Sequence, residues 1–235
     1  MQFSDTHSEA SSPFFTWQNI IDWAQTHYRD RIFQKDERIP ARPELLYLVS
    51  KGAIRLVGTT QNQEQSPSQL SDSEDSAELQ EEAFLGFVNS GHPFEVVAQS
   101  SFILHAYAHV DQTQVIWLYW HDLENWPHFR QEIYEAFRYQ HQRKLLWLSA
   151  LGQRKTIDRL ISFLTLLIEE YGSNYEQNYC LPYTLTHAQI GSAIGSTRVT
   201  VTRLMGKLRR QGLISIRNDN SICIPNPQAL KDANS

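Results

Sequence analysis

The chain has 235 residues, 41% of them hydrophobic and 20% charged, with a formal net charge of −5, enough to bury one large or two modest cores. No stretch reaches the ~18 consecutive apolar residues of a membrane span, and the polar opening MQFSDTHSEASSP lacks the pattern of a secretion signal, so a cytoplasmic location and no membrane partner are expected. Cys180 and Cys223 are the only cysteines; they cannot make a four-cysteine zinc or iron–sulfur site, do not suggest a disulfide framework, and read as buried or incidental thiols.

An amphipathic helix is expected over about residues 14–28, with Trp17, Ile20, Ile21 and Ala24 on one stripe, closing an N-terminal arm and helix over residues 1–28. Residues 29–126 then turn to short β segments. In LLYLVSKGAIRLVG the apolar runs 45–50 and 53–58 flank Lys51-Gly52, a hairpin signature, and residues 95–97, 101–109 and 113–119 are further strand candidates. Strands this short and this closely spaced predict a compact barrel or sandwich. Residues 59–82, TTQNQEQSPSQLSDSEDSAELQEE, carry acidic but no basic side chains and almost no apolar ones, so they read as a disordered insertion in a β-loop.

From about residue 127 to 151 the period becomes helical. Ile133, Phe137, Gln140, Lys144, Trp147 and Leu151 recur at spacings of four and three, a heptad seam with two polar members. A two-fold dimer seam is the expectation; a helix packed on its own domain is the alternative. Gly152 marks a hinge, and a second helix over 153–171 carries Ile157, Leu160, Ile161, Leu164 and Ile168 on one face.

Thr186-His187-Ala188-Gln189 has the form of a capping box, and the short helix that it starts stops at Gly195. Ser196 or Thr197 then caps a second helix, residues 196–211, on which Val201, Leu204, Met205 and Leu208 fall at i, i+3, i+4 and i+7. Val199 and Arg203 point the opposite way, and Arg198 projects from the first turn. Two helices joined by a glycine turn make a helix-turn-helix. GLISIRNDNSICIP follows as strand, polar turn and strand, which completes a wing.

Charge divides along the same line. Residues 1–152 carry 11 Lys and Arg against 20 Asp and Glu, whereas residues 153–230 carry 9 against 5. Within residues 197–217 there are six basic side chains and no acidic one, the composition that a phosphate backbone selects. The overall acidity therefore does not exclude DNA.

The stretch LTHAQIGSAIGSTRVTVTRLMGKLRRQGLISI resembles the winged helix-turn-helix of the CRP/FNR regulators, and is most similar to their cyanobacterial nitrogen-regulator branch, whose recognition helix also reads GSTRVTVTR. The resemblance is strong over residues 153–225 and moderate over the hairpin YLVSKGAIRL. It implies an α+β chain: an N-terminal double-stranded β-helix (a jelly roll like the cyclic-nucleotide-binding domain) over 29–126, a dimerisation helix over 127–151 and a winged helix-turn-helix over 152–230. It further implies a homodimer on a palindromic double-stranded operator, with RNA polymerase as partner. By position, Arg198, Val199 and Arg203 match base-reading residues, and Thr186, His187, Ser196 and Thr197 fall at backbone-contact positions; Lys207 is assigned to phosphate. An arginine can donate two hydrogen bonds to guanine, whereas valine cannot accept from cytosine N4. Half-sites of the GTA…TAC kind are expected rather than TGTGA.

The family's nucleotide-binding stretch departs here. The corresponding region reads EEAFLGFVNSGHPFEVVAQSS, with no arginine between Arg55 and Arg130, and Gln140 and Leu145 stand where the nitrogen-regulator branch has charged residues. A cyclic phosphate would lack its charge-assisted partner, so cyclic AMP is not expected to bind, and 2-oxoglutarate is put in doubt. No cofactor or metal is assigned and the effector is unknown, with His92, His105, His109, Trp117 and Trp120 as candidates for lining a ligand site. Glu81-Glu82 lies in the expected disordered loop, and no phosphate-cradling loop or nucleophile elbow occurs, so an enzyme is not expected. The alternative is a degenerate family member controlled by a protein partner, or a scaffold that no longer binds DNA.

Overall fold

The computed structural model describes residues 14–40, 42, 45–60, 82–96, 98–99, 102–176 and 178–232. The described residues form two compact units, one from residues up to 56 with 87–137 and the other from 57–86 with 138 onward.

In the first unit, helix α1 (Phe14–Thr26) buries the expected stripe of Trp17, Ile20, Ile21 and Ala24. The strands are β1 (Asp30–Phe33), β2 (Arg38–Ile39), β3 (Leu45–Lys51), β4 (Ala53–Thr60), β5 (Ala83–Asn89), β6 (Pro93–Phe94), β7 (Ala98–Gln99), β8 (Phe102–Ala108) and β9 (Thr113–Tyr119), of which β4 and β5 each run across a unit boundary. They form two antiparallel sheets, ordered β1-β9-β3-β6 and β2-β8-β4-β5, with β7 paired to β8. Strand β3 shows why LLYLV does not alternate. Its Leu45, Tyr47 and Val49 face a core with Phe33, Phe94 and Val115, while Leu46 and Leu48 face α1 and Ile116. A strand buried on both faces reads as a continuous apolar run.

Two strand expectations shift. The strand expected at 95–97 is β6 at Pro93–Phe94, and β4 continues to Thr60 with Thr59 buried, so the insertion does not begin at residue 59. Residues 61–81 of that insertion lie outside the described residues.

A 3-10 turn (Trp120–Asn125) leads into α2 (Pro127–Leu151), whose bounds match expectation. Its seam does not. Ile133 is 1% exposed in the core with α1, and Phe137 packs against the same cluster. In the second unit Lys144 donates to the Leu85 carbonyl, and Trp147 lies tilted against Phe84 and Phe163 with ring centroids 5.9 and 5.2 Å apart. Gln140 and Leu151 are half-buried. Three exposed apolar residues lie one position on, Tyr134, Leu145 and Leu148, at 52, 52 and 63%. The heptad spacing is real, but the bulkier register packs on the helix's own chain.

The second unit continues with α3 (Thr156–Tyr171), β10 (Ser173–Tyr175), β11 (Asn178–Cys180), α4 (His187–Ile194), α5 (Arg198–Arg210), β12 (Ser215–Ile216), β13 (Ile222–Ile224) and α6 (Pro227–Asp232). Helix α3 starts later than expected, from Lys155 as N-cap, and buries Leu160, Ile161, Leu164 and Ile168. The sheet is ordered β10-β11-β13-β12. Its hairpin β10–β11 escapes a sequence reading because SNYEQNYC is polar throughout. That hairpin overturns the reading of the cysteines. Cys180 stands directly opposite Cys223 across β11 and β13, with Cα atoms 4.0 Å apart, and the two form a disulfide. Among the described residues no helix is long and apolar enough to cross a membrane.

Candidate nucleic-acid interface

The start of α4 is fixed as its sequence predicts. Thr186 Oγ1 accepts from the Gln189 backbone N–H at 3.1 Å, and Gln189 Oε1 accepts from the Thr186 N–H at 2.9 Å, the reciprocal bonds of a capping box. The helix ends at Gly195 in the left-handed conformation, φ 62° and ψ 53°. The chain then crosses close over α4. A Cβ on Gly191 would lie 2.7 Å from the Ser196 carbonyl oxygen, so only glycine permits that crossing. Thr197, not Ser196, caps α5, accepting from the Thr200 N–H at 3.2 Å.

Helix α5 contains Val199, Thr200, Val201 and Thr202, residues that cost about half a kcal/mol each relative to alanine in a helix. Burial of Val201, Met205 and Leu208, at 0, 3 and 1% exposure, contributes roughly 1.5–3 kcal/mol apiece and decides the matter for helix. His187 Nδ1 meets Thr202 Oγ1 at 2.9 Å, and Thr202 Oγ1 donates to the Arg198 carbonyl at 2.9 Å, which pins α5 to the start of α4.

The outward side of α5 carries no such support. Val199 is 79% exposed, an unusual position for an aliphatic side chain beside two arginines. Arg198, Arg203, Lys207, Arg209 and Arg210 are exposed, and among the described residues no carboxylate lies within 4.0 Å of Arg198 or Arg203. Unpaired guanidinium forks beside an exposed aliphatic group can meet base edges and thymine methyls in a major groove. Thr186, His187, Ser196 and Thr197 cluster at the starts of α4 and α5, where free backbone N–H groups and the helix dipole favour phosphate, and Lys207 lies in the last turn. In the wing, Arg217 lies 3.8 Å over the Tyr175 ring and pairs with Asp219 at 3.4 Å. The Ser221 N–H donates to Asp219 and, ahead of Arg217, holds its carboxyl below the usual range.

Comparison with known proteins agrees with this geometry. Residues 158–233 match the family model of the Crp-like helix-turn-helix domain. This region is a Crp-like helix-turn-helix. Over 85 residues the chain is 41% identical to the global nitrogen regulators of Synechocystis sp. and Synechococcus elongatus, covering 36% of this chain and 37 and 38% of theirs. The chain thus aligns with little more than a third of those relatives' length. Among solved structures it is similar to a mutant of CooA from Carboxydothermus hydrogenoformans, with TM-score 0.64 and 20% identity over 88% of both chains. It is also similar to FixK2 from Bradyrhizobium japonicum, with TM-score 0.63 and 21% identity over 86% of this chain and 95% of that one. The fold of the chain is therefore the α+β fold of these two structures, and the nitrogen regulators that match its C-terminal part are regulators by name.

Of the side chains singled out in the barrel, His92, His109 and Trp120 are otherwise engaged. His109 is buried with its ring 4.6 Å from that of Phe87, His92 Nδ1 faces the Ser90 carbonyl at 3.3 Å, and Trp120 Nε1 donates to Glu95 at 2.5 Å. The ring of His105 lies 6.3 Å from that of Tyr107. Among the described residues no group of three or more His, Cys, Asp or Glu could hold a metal. Sequence reading missed Lys144 as a buried cation. Burial, opposed by Glu170, lowers its pKa to about 8, and its Nζ lies 4.9 Å from the Trp147 ring centroid.

Proposed function

We propose that this chain is a sequence-specific DNA-binding transcriptional regulator of the CRP/FNR type, acting in the cytoplasm as a homodimer on a palindromic site. The observation that carries the reading is the outward side of α5, where Arg198, Val199 and Arg203 stand exposed and unneutralised over a buried Val201–Met205–Leu208 face. Arg198 and Arg203 read guanines, Val199 excludes a cytosine-donated bond, and Thr186, His187, Ser196, Thr197 and Lys207 position the phosphates. The half-sites are of the GTA…TAC kind, about one helical turn apart. Contact with RNA polymerase follows from such a role.

The dimer uses the exposed register of α2. Tyr134, Arg138, His141, Leu145 and Leu148 succeed one another at spacings of four and three, and all are exposed. Beside them Leu146 borders a groove of about 300 Å³ that also touches Ala150, Ile161 and Thr165. The Thr165 hydroxyl in it is buried and has no hydrogen-bond partner among the described residues. A second α2 laid along this face would cover both.

Cyclic AMP is not the effector. What supports this is crowding beside Gly86, where a Cβ would lie 2.8 Å from Lys144 Nζ and 2.9 Å from the Trp147 ring. Calorimetry with cyclic AMP is expected to give no heat of binding.

The test of the whole reading is selection of bound sequences from random DNA. A GTA…TAC palindrome is the expected product, and equal binding to a scrambled palindrome would refute the assignment. Sedimentation of Leu145→Asp with Leu148→Asp is expected to give a monomer.

A further inference from the structure

The barrel's cationic groups are not where the family's nucleotide-binding stretch would put them. They run no further than Arg55, and two of the earlier ones meet at a cavity. At one end of the first unit, β1, β3 and β9 and the segment after β2 enclose about 120 Å³, between Phe33, Ile39, Tyr47 and Trp117, with Arg31 and Arg42 on its lining. The floor is built. Phe33, Ile39 and Tyr47 are at most 4% exposed, and the Tyr47 ring is held by a 5.1 Å stack on Phe94 and by its hydroxyl, which donates to the Pro40 carbonyl at 2.6 Å. Burial raises the Tyr47 pKa, so the hydroxyl stays neutral and adds no competing negative charge.

The two guanidiniums differ. Arg31 pairs with Glu37 at 2.5 Å and lies 4.8 Å over the Phe33 ring, which fixes its position. Arg42 is exposed and, among the described residues, has no carboxylate within 4.0 Å. The walls offer an aromatic and aliphatic enclosure; the charged donors are the guanidiniums. A sugar hydroxyl or a ribose would lose its water there without replacement. A hydrocarbon body would not, and a volume close to the ~150 Å³ that holds benzene sets its size at about six carbons. A planar carboxylate matches a guanidinium fork.

We infer that this cavity binds a compact monocarboxylic acid with a cyclic or branched hydrocarbon body, its ring or branch against Phe33, Ile39, Tyr47 and Trp117 and its carboxylate held by Arg31 and Arg42. Of the aromatic residues considered as ligand contacts from sequence, Trp117 is the one that lines the cavity. The inference does not depend on DNA recognition, since binding to the protein alone reports it.

The test is calorimetric titration of the full chain with benzoate and with cyclohexanecarboxylate, alongside benzyl alcohol, acetate and inorganic phosphate. The expected result is saturable binding of one acid per chain with a Kd of about 0.1–1 mM, as suits so small a ligand. Benzyl alcohol and acetate should bind at least tenfold more weakly. Arg31→Gln and Arg42→Gln alter exposed side chains and should fold with unchanged melting temperatures, yet each should weaken benzoate at least tenfold. Absence of saturable heat from either acid well above that range, unchanged affinity in the double variant, or phosphate binding as tightly as benzoate would each overturn the assignment.

Discussion

Three arginines of the N-terminal unit, Arg29, Arg31 and Arg55, each reach a carboxylate, on Asp122, Glu37 and Asp36. In α5, Arg198 and Arg203 reach none among the described residues. The two groups carry the same charge and answer to different needs. A guanidinium closed onto a buried carboxylate, as Arg29 is on Asp122, ties local structure together and has little left to offer a polyanion, whereas Arg31, exposed and bonded to Glu37 through one nitrogen, keeps donors to spare. An unneutralised one on a rigid helix contributes little to folding and keeps its donors for a ligand. Lys144 is a third case, a cation buried against a carbonyl and a tryptophan ring. Substitutions at Arg29, Lys144, Arg198 and Arg203 should therefore separate into losses of stability and losses of DNA recognition.

The largest effect on stability is expected at Arg29. Asp122 is 8% exposed and also accepts from the Tyr119 N–H at 2.8 Å, so Arg29→Ala leaves a buried carboxylate with its main partner gone. A loss of about 3 kcal/mol in denaturant unfolding is expected, with specific DNA binding by the folded fraction unchanged. Weakened recognition without a stability change would break the contrast.

Lys144 makes a comparable prediction with pH. Its folded pKa of about 8 lies below the ordinary 10.5, so below pH 8 both states hold the proton and the cost of burying the charge is present in full. Between pH 8 and about 10 the unfolded chain binds more protons than the folded one, and stability rises with pH, by up to about 3 kcal/mol if the whole shift were expressed. Above about pH 10 the trend turns over. Burial pushes the Tyr183 hydroxyl up to about 12 and holds Tyr171 above its usual value, so their ionisation favours the unfolded chain. In Lys144→Met the rise should vanish from a series of melts across this window; its persistence would assign it elsewhere.

Arg198→Ala and Arg203→Ala should each remove roughly 1–3 kcal/mol of discrimination at one base position, read by competition between cognate and altered half-sites. Because both side chains are exposed, melting temperatures should move by no more than ~0.5 kcal/mol equivalent. The smallest effect belongs to Arg217→Ala in the wing. Its partner Asp219 is half-exposed, and water screens a surface pair of this kind, so no resolved change in melting temperature is expected.

The helix-turn-helix was legible because local signals agree there. Thr186 with Gln189, Gly195, and the i, i+3, i+4, i+7 series of α5 all act within a few residues of one another. The β-branched run of α5 misleads only if propensity is weighed without the burial of Val201, Met205 and Leu208. Where contacts are distant, the reading failed in instructive ways. On α2 two adjacent heptad registers are both apolar, and periodicity cannot say that Ile133 and Trp147 serve their own chain while Leu145 and Leu148 stay outside. Lys144 looked like a polar seam member because its partner, the Leu85 carbonyl, is remote in sequence. Arg31 and Arg42 were overlooked for the same reason: a search confined to residues between Arg55 and Arg130 excludes what the fold brings together from before it.

The bond between Cys180 and Cys223 closes everything from β11 to β13 into a covalent ring, with α4 and α5 inside it. A protease that nicks any exposed turn between these positions opens the backbone without parting the pieces. A nicked molecule would migrate as one band until a reductant is added, and then as two. Limited proteolysis thus reports directly on the oxidation state of the cysteines in protein taken from cells.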